Sequence, residues 1–319
     1  MLIPILLAIA VTPPADTILI VVNKQASTVS IVNVSTGTVT ATLPTGANPH
    51  ETAASSDGKW AVVTDYGAQT PGSTLTVVDL TTRTITRTID LGFTRPHGAA
   101  FLPDNRTVAV TSETGQVVLL VDVVRGSITS DHATGQRVSH MVAITSDGKL
   151  GYTANIADGS LSRIEFGGAA PPRILGNIGS QTEAIGLTPN GREAWLGSNN
   201  TGKVLVVDVD QWKVTDSLQT SGFPYRIGFT PNGQIAVVTN PESNEIHIYD
   251  ARLKAKLGTV IAGEGPLGLI FSPDNRTAWV TLAGSGEVAE VDLVNRRITR
   301  RLPAGPAPDG IAYAVVPGS

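Results

Sequence analysis

The chain has 319 residues, 41% of them apolar and 16% charged, with 33 glycines and 20 prolines; this composition supplies ample core, excludes a disordered chain and describes a loop-rich, mostly β protein. A formal net charge of −4 with no Lys/Arg cluster excludes a phosphate-binding face for DNA or RNA. The absence of cysteine excludes disulfides, thiolate ligands, cysteine nucleophiles and C-x-x-C-H haem attachment, so any metal must be held through nitrogen and oxygen.

The first segment, Leu2 to Val11, is a ten-residue apolar run containing Ala8-Ile9-Ala10, an A-x-A-like peptidase site. It is too short to span a bilayer and reads as a secretory signal, with residues 1–16 a leader and 17–319 the mature domain, secreted or periplasmic. No Lys or Arg precedes the run, so a misplaced start or a plain apolar tail stays open, and with it a cytoplasmic location.

Three strand-like segments follow, Ile18 to Val22, Thr28 to Val34 and Val39 to Leu43. From residue 47 a repeat takes over. Turn tripeptides begin at Ser56, Pro103, Ser146, Pro189, Pro231 and Pro273, spaced by 47, 43, 43, 42 and 42 residues. An aspartate closing an apolar run keeps the same beat at Asp79, Asp122, Asp208, Asp250 and Asp292, with Glu165 in the remaining copy. Each unit holds four short β-branched or apolar segments separated by Gly, Asp, Asn and Ser turns, the signature of a propeller blade. Asp-Gly, Asn-Gly and Asp-Asn at the first turn supply the left-handed conformations of a tight hairpin and carry no further role. Six units reach residue 305, and the strand Gly310 to Val316 completes the N-terminal three-strand piece as a seventh blade. The expected fold is an all-β, seven-bladed propeller of four-stranded blades in one domain, a closed ring without exposed sheet edges.

The second strands read Ile20-Val21-Val22-Asn23, Val62-Val63-Thr64-Asp65, Tyr152-Thr153-Ala154-Asn155 and Val237-Val238-Thr239-Asn240, with weaker versions at Ala109 to Ser112 and Trp279 to Leu282. These segments resemble the YVTN-type β-propeller repeat over nearly the whole chain after residue 17. The resemblance implies the fold. It leaves function open, because similar repeats occur in cell-surface proteins, in lactone-cleaving enzymes and beside redox proteins.

In such a blade the tight turn ends the inner strand, so residues six positions earlier lie at the opposite mouth of the channel. Counting back from each turn gives His50, His97, His140, Glu183, Tyr225 and Leu267, with Asp309 in the closing strand. Three of the five histidines thus share one register in three consecutive blades. The loop between second and third strands opens on the same face and is longest in the first unit, Tyr66 to Ser73.

Three readings of this ring stand side by side. The imidazoles could hydrogen-bond neighbouring carbonyls and tie blades together. They could form a metal-free polar pocket. Or His50, His97 and His140, with Glu183 as fourth ligand or general base, could hold a divalent ion, for which nitrogen and oxygen ligands suit zinc, iron, copper, nickel or manganese. Tyr225 and Arg226 would then add catalytic contacts, and Asp65, Glu113, Asn155, Asn199, Asn240 and Asp309 a substrate pocket, although residues at strand ends more often satisfy their own turns. Trp60, Trp195 and Trp279 are expected in one register of the inter-blade core, and His132 and His247 on the surface. No Ser-His-Asp order, phosphate loop or H-E-x-x-H helix is present.

Two functions therefore compete. One is an extracytoplasmic metal-dependent hydrolase or lyase acting on a lactone-like or related carbonyl compound; the other is a non-catalytic binding or scaffold propeller. The expected partner is a small-molecule substrate or a protein at the channel-mouth face, with no nucleic acid, no membrane span and a monomeric ring. An accessory subunit beside a redox enzyme is a third possibility.

Overall fold

A computed structural model describes residues 16–317. The leader assigned to residues 1–16 lies outside the described residues, apart from Asp16, which opens the first strand. Among the described residues there are seven four-stranded antiparallel sheets and a single 3₁₀ turn. Six sheets are continuous in sequence: blade 1 (52–90), blade 2 (96–133), blade 3 (139–175), blade 4 (182–219), blade 5 (226–261) and blade 6 (266–303). The closing blade pairs Asp16–Asn23, Thr28–Asn33 and Thr38–Pro44 with Pro308–Val316 as its innermost strand. The first and last described strands therefore meet in one sheet, as the strand pattern in the sequence implies.

Burial explains the strand compositions. Second strands such as Thr107–Ser112 and Thr277–Leu282 are covered on both faces and read as continuous buried runs. Outer strands such as Thr38–Pro44 alternate between exposed and half-buried positions, because one face looks to solvent. The apolar side chains segregate into seven clusters, each filling the seam between one pair of successive blades. The seam between blades 2 and 3 is the thinnest, with only Ala109, Val118, Leu120 and Ile164 fully buried in it. Trp195 and Trp279 fill the seams after blades 4 and 6. Trp60 departs from the expected register: it opens its strand, whereas the other two sit third in theirs, and it is only half-buried.

One local irregularity positions the channel mouth. At the start of the inner strand, two residues oppose one residue of the second strand: His97-Gly98 against Thr111, His140-Met141 against Ala154, Glu183-Ala184 against Gly197, Leu267-Gly268 against Thr281, and Asp309-Gly310 against Val22. Such β-bulges bend a strand and re-aim its side chains. The threonine opposite the bulge stitches the ring. Thr111 Oγ1 accepts a hydrogen bond from Gly98 N at 2.8 Å and donates to the carbonyl of His140, in the next blade, at 2.5 Å. Thr281 repeats this with Gly268 N and the Asp309 carbonyl, at 2.7 and 2.8 Å, and Thr239 with Arg226 N and the Leu267 carbonyl, at 3.1 and 2.8 Å. The last seam is joined by Gly310 N donating to the carbonyl of His50 at 2.9 Å. A Cβ at residue 310 would stand 2.6 Å from that same oxygen, so only glycine allows the approach.

Candidate metal centre

The ring read from the sequence does assemble at one mouth of the channel, but not as a symmetric trio of histidines. The rings of His97 and His140 face each other at a tilt of 31° with centroids 3.5 Å apart, and both residues are more than nine-tenths buried. Glu113, at the end of the second strand of blade 2, reaches across to His140 Nδ1 at 2.5 Å. Ligand-capable atoms of His97, Glu113 and His140 all lie within 4.8 Å of one another, a spread that an ion could gather. His50 stands beside this group rather than in it. Its Nδ1 is hydrogen-bonded to His97 Nε2 at 3.0 Å and its Nε2 to Asn48 Nδ2 at 3.1 Å. The group that the geometry gathers thus differs from the ring expected from the register: Glu113 stands with His97 and His140, while Glu183 touches His140 Nε2 from the far side at 3.3 Å. Two nitrogens of the group, His97 Nδ1 and His140 Nε2, are buried without a hydrogen-bonding partner of proper geometry.

The surrounding groups form one charged network. Glu183 accepts from Asn199 Nδ2 at 2.7 Å and faces Arg226 Nη1 at 3.8 Å. Arg226 spans the channel to pair with Glu51 of blade 1, packs its guanidinium 4.2 Å over the Tyr225 ring and donates to the Tyr225 carbonyl at 2.8 Å. Tyr225 OH donates to Asp309 Oδ1 at 3.0 Å, and Lys24 Nζ pairs with Asp309 Oδ2 at 3.2 Å.

Electrostatics separate the three histidines. Burial and the charge of Lys24 press His50 down to about 3, with Asp309 offsetting only part. Burial, together with the neighbouring imidazoles, holds His97 well below the usual range. For His140 burial acts in the same direction, but the hydrogen bond to Glu113 and the close Glu183 carboxylate outweigh it and raise its pKa. Burial would lift Glu183, yet the close His140 imidazole and the charge of Arg226 leave it below the ordinary carboxylate range. Asp309 is likewise lowered, because Lys24 and Arg226 overcome its desolvation.

Other residues singled out in the sequence serve their own blades. Asp65 accepts from Gly46 N, Thr74 and Thr76 at 3.0, 2.7 and 2.9 Å. Asn155 donates to Ser160 and Ser162 and accepts from Ser139, and Asn240 turns back to the Val238 carbonyl. These three residues at the ends of second strands bind their own blades and loops rather than the cluster. His132 is half-buried on an outer strand off the ring. His247, expected at the surface, is 1% exposed; it is enclosed in blade 5 by Tyr249 OH at 3.2 Å and Glu245 at 2.9 Å.

Sequence reading missed Lys24, Glu51 and Tyr66 as parts of the site. Glu51 and Arg226 each follow a ring position by one residue, where simple strand alternation sends a side chain away from the channel. Tyr66 had a visible signal, since it opens the loop whose extra length makes the first repeat 47 residues.

No protein-family model matches this chain, and no curated protein does. Among solved structures it is similar to a chain of the Kuenenia stuttgartiensis hydrazine synthase, with a TM-score of 0.72 and 18% identity over 83% of this chain and 89% of that one. It is also similar to a protein of unknown function from Desulfotomaculum acetoxidans, with a TM-score of 0.78 and 13% identity over 94% and 99% of the two chains. Identities this low show the shared propeller architecture alone.

Proposed function

We propose that the chain binds a divalent metal ion through His97, Glu113 and His140 at the channel mouth, and that the ion serves a hydrolase or lyase reaction on a carbonyl compound in an extracytoplasmic compartment. The observation that carries this reading is the convergence of the three ligand-capable side chains from two adjacent blades. Charge balance supports it. Among the described residues, Glu51, Glu113, Glu183 and Asp309 face Lys24 and Arg226 as permanent cations, so with every carboxylate ionised and the imidazoles neutral, as ligation of an ion requires, the buried network lacks two positive charges; without an ion, the raised His140 and Glu51 pKa values relieve part of that deficit. A divalent ion supplies both.

An ion with an open coordination position polarises a carbonyl or activates water. The protein's own share is to hold that chemistry in place. Glu183, kept ionised by His140 and Arg226, is available as a proton acceptor beside the ligands. Arg226 and Tyr225, committed to Glu51 and Asp309, act as supports of the site. The likeness to the hydrazine synthase chain is one of fold and lends no substrate.

One observation favours a second reading, the metal-free scaffold. The His50–His97, Glu113–His140 and Asn199–Glu183 hydrogen bonds already close most of the cluster without an ion. Elemental analysis of protein purified without chelator separates the two. Near-stoichiometric metal that disappears in His97→Ala supports the metal centre. Protein that carries none, and whose stability does not change in excess zinc, leaves the scaffold.

A further inference from the structure

The long loop of blade 1 does more than enlarge one repeat. The Tyr66 ring stacks on the His50 imidazole at 4.1 Å between centroids and carries the Arg95 guanidinium 4.6 Å from its own centroid. Its hydroxyl crosses to blade 2 and donates to Glu113 Oε2 at 2.7 Å. The other oxygen of that carboxylate, Oε1, is the one on His140. Burial, and then the Glu113 hydrogen bond, raise the Tyr66 phenol, so it is a hydrogen-bond donor throughout the neutral range.

The loop itself is strapped down from both sides. Arg95 donates from Nη1 to the Gly67 carbonyl at 3.0 Å and from Nη2 to the Ala68 carbonyl at 2.8 Å. Asn48, whose amide also holds His50, donates to the same Gly67 carbonyl at 3.0 Å, and Gly67 N donates to the Ala47 carbonyl at 2.8 Å. Blade 1 and blade 2 thus share the work of fixing one phenol. A carboxylate on a short linker rotates freely unless its second oxygen is tied, and a metal ligand whose outer oxygen is already hydrogen-bonded loses less freedom on coordination.

We infer that Tyr66 is a positioning residue for the metal centre: with Arg95 as its clamp, it holds Glu113 in the orientation from which it coordinates the ion together with His97 and His140. This rests on the metal reading above. It assigns a purpose to the insertion in the first repeat, whose tip would otherwise be a plain hairpin.

Cobalt(II) titration of the chelator-treated full chain, followed by visible absorption, tests the inference. The Tyr66→Phe variant keeps the ring in contact with His50 and Arg95 and removes only the donor. Its cobalt affinity is expected to fall about 10- to 100-fold, with a changed band pattern, while the melting temperature of the metal-free variant matches wild type. Wild-type protein that takes up no cobalt overturns the metal reading and this inference with it. Wild-type protein that binds while Tyr66→Phe binds equally well overturns the inference alone. A variant that loses stability without metal, and shows an unaltered cobalt spectrum at saturation, also overturns it, since that is a merely structural role. If Tyr66→Phe does not fold, Arg95→Gln, which leaves the phenol but frees the loop, carries the same expectation.

Discussion

Arg226 is the side chain whose removal should be felt most, and the size of the loss can be worked from its surroundings. It is 6% exposed, and its partner Glu51 is 7% exposed. In the Arg226→Met variant the Glu51 carboxylate keeps its burial and loses its guanidinium partner, while Glu183 loses the guanidinium 3.8 Å away. Stranding one member of a buried ion pair costs about 3–5 kcal/mol, a large share of the roughly 5–15 kcal/mol that keeps an ordinary domain folded. The double variant Glu51→Leu with Arg226→Met removes both charges and should return most of that loss, because a buried pair exchanged for apolar groups of similar volume is often neutral. Urea denaturation at pH 7 provides the four stabilities of the cycle, with the single variants compared at equal m-value. Burial already pushes Glu51 towards its neutral form, so the Arg226→Met penalty should shrink when the measurement is repeated near pH 5. A single variant within about 1 kcal/mol of wild type, or a double variant as unstable as the singles, would refute the picture of a desolvated pair crossing the channel.

Two further outcomes are expected. Thr111→Val keeps the shape of the side chain but strips the bonds to Gly98 N and the His140 carbonyl; each buried group left unpaired costs about 1–3 kcal/mol, and thermal or urea unfolding that moves no further than for the exposed-strand variant Thr299→Val would show the stitch to be unimportant. In metal-free protein, His50 is driven down to about 3 from 6.5, so it stays neutral in the fold while it charges in the unfolded chain. Its contribution is intact above pH 6.5 and is lost as the pH falls towards 3, at up to about 1.4 kcal/mol per pH unit. His50→Gln should flatten the acid limb of the stability profile, and parallel profiles for the two proteins would rule this out.

The period of the turns and the closing aspartates made the blade count and the shared closing blade readable before any coordinates, because a propeller repeats its turn chemistry at fixed intervals. The ring of residues six positions before each turn was readable for the same reason. What the sequence did not disclose is how the ring breaks its symmetry. His97, His140 and His50 share a register, yet they meet unlike neighbours. Glu113 comes from a strand end and Tyr66 from an insertion, and only the side-chain geometry shows that they meet each other beside His97 and His140. The approach of Glu51 and Arg226 across the channel is likewise invisible to an alternation rule, which turns both side chains away from it. The Asn155 and Asp65 positions look polar and mouth-facing in sequence, but nearby Ser and Thr hydroxyls claim them.

The thin apolar seam between blades 2 and 3 has a bearing on how such a ring could come apart. Seven joints in a circle share any outward strain, and the one with the smallest greasy filling should yield first. His97 and Glu113 stand on one side of that joint and His140 on the other. An ion gripped by all three would work as a rivet through the weakest joint of the hoop, so that loading the centre and keeping the circle shut become the same event.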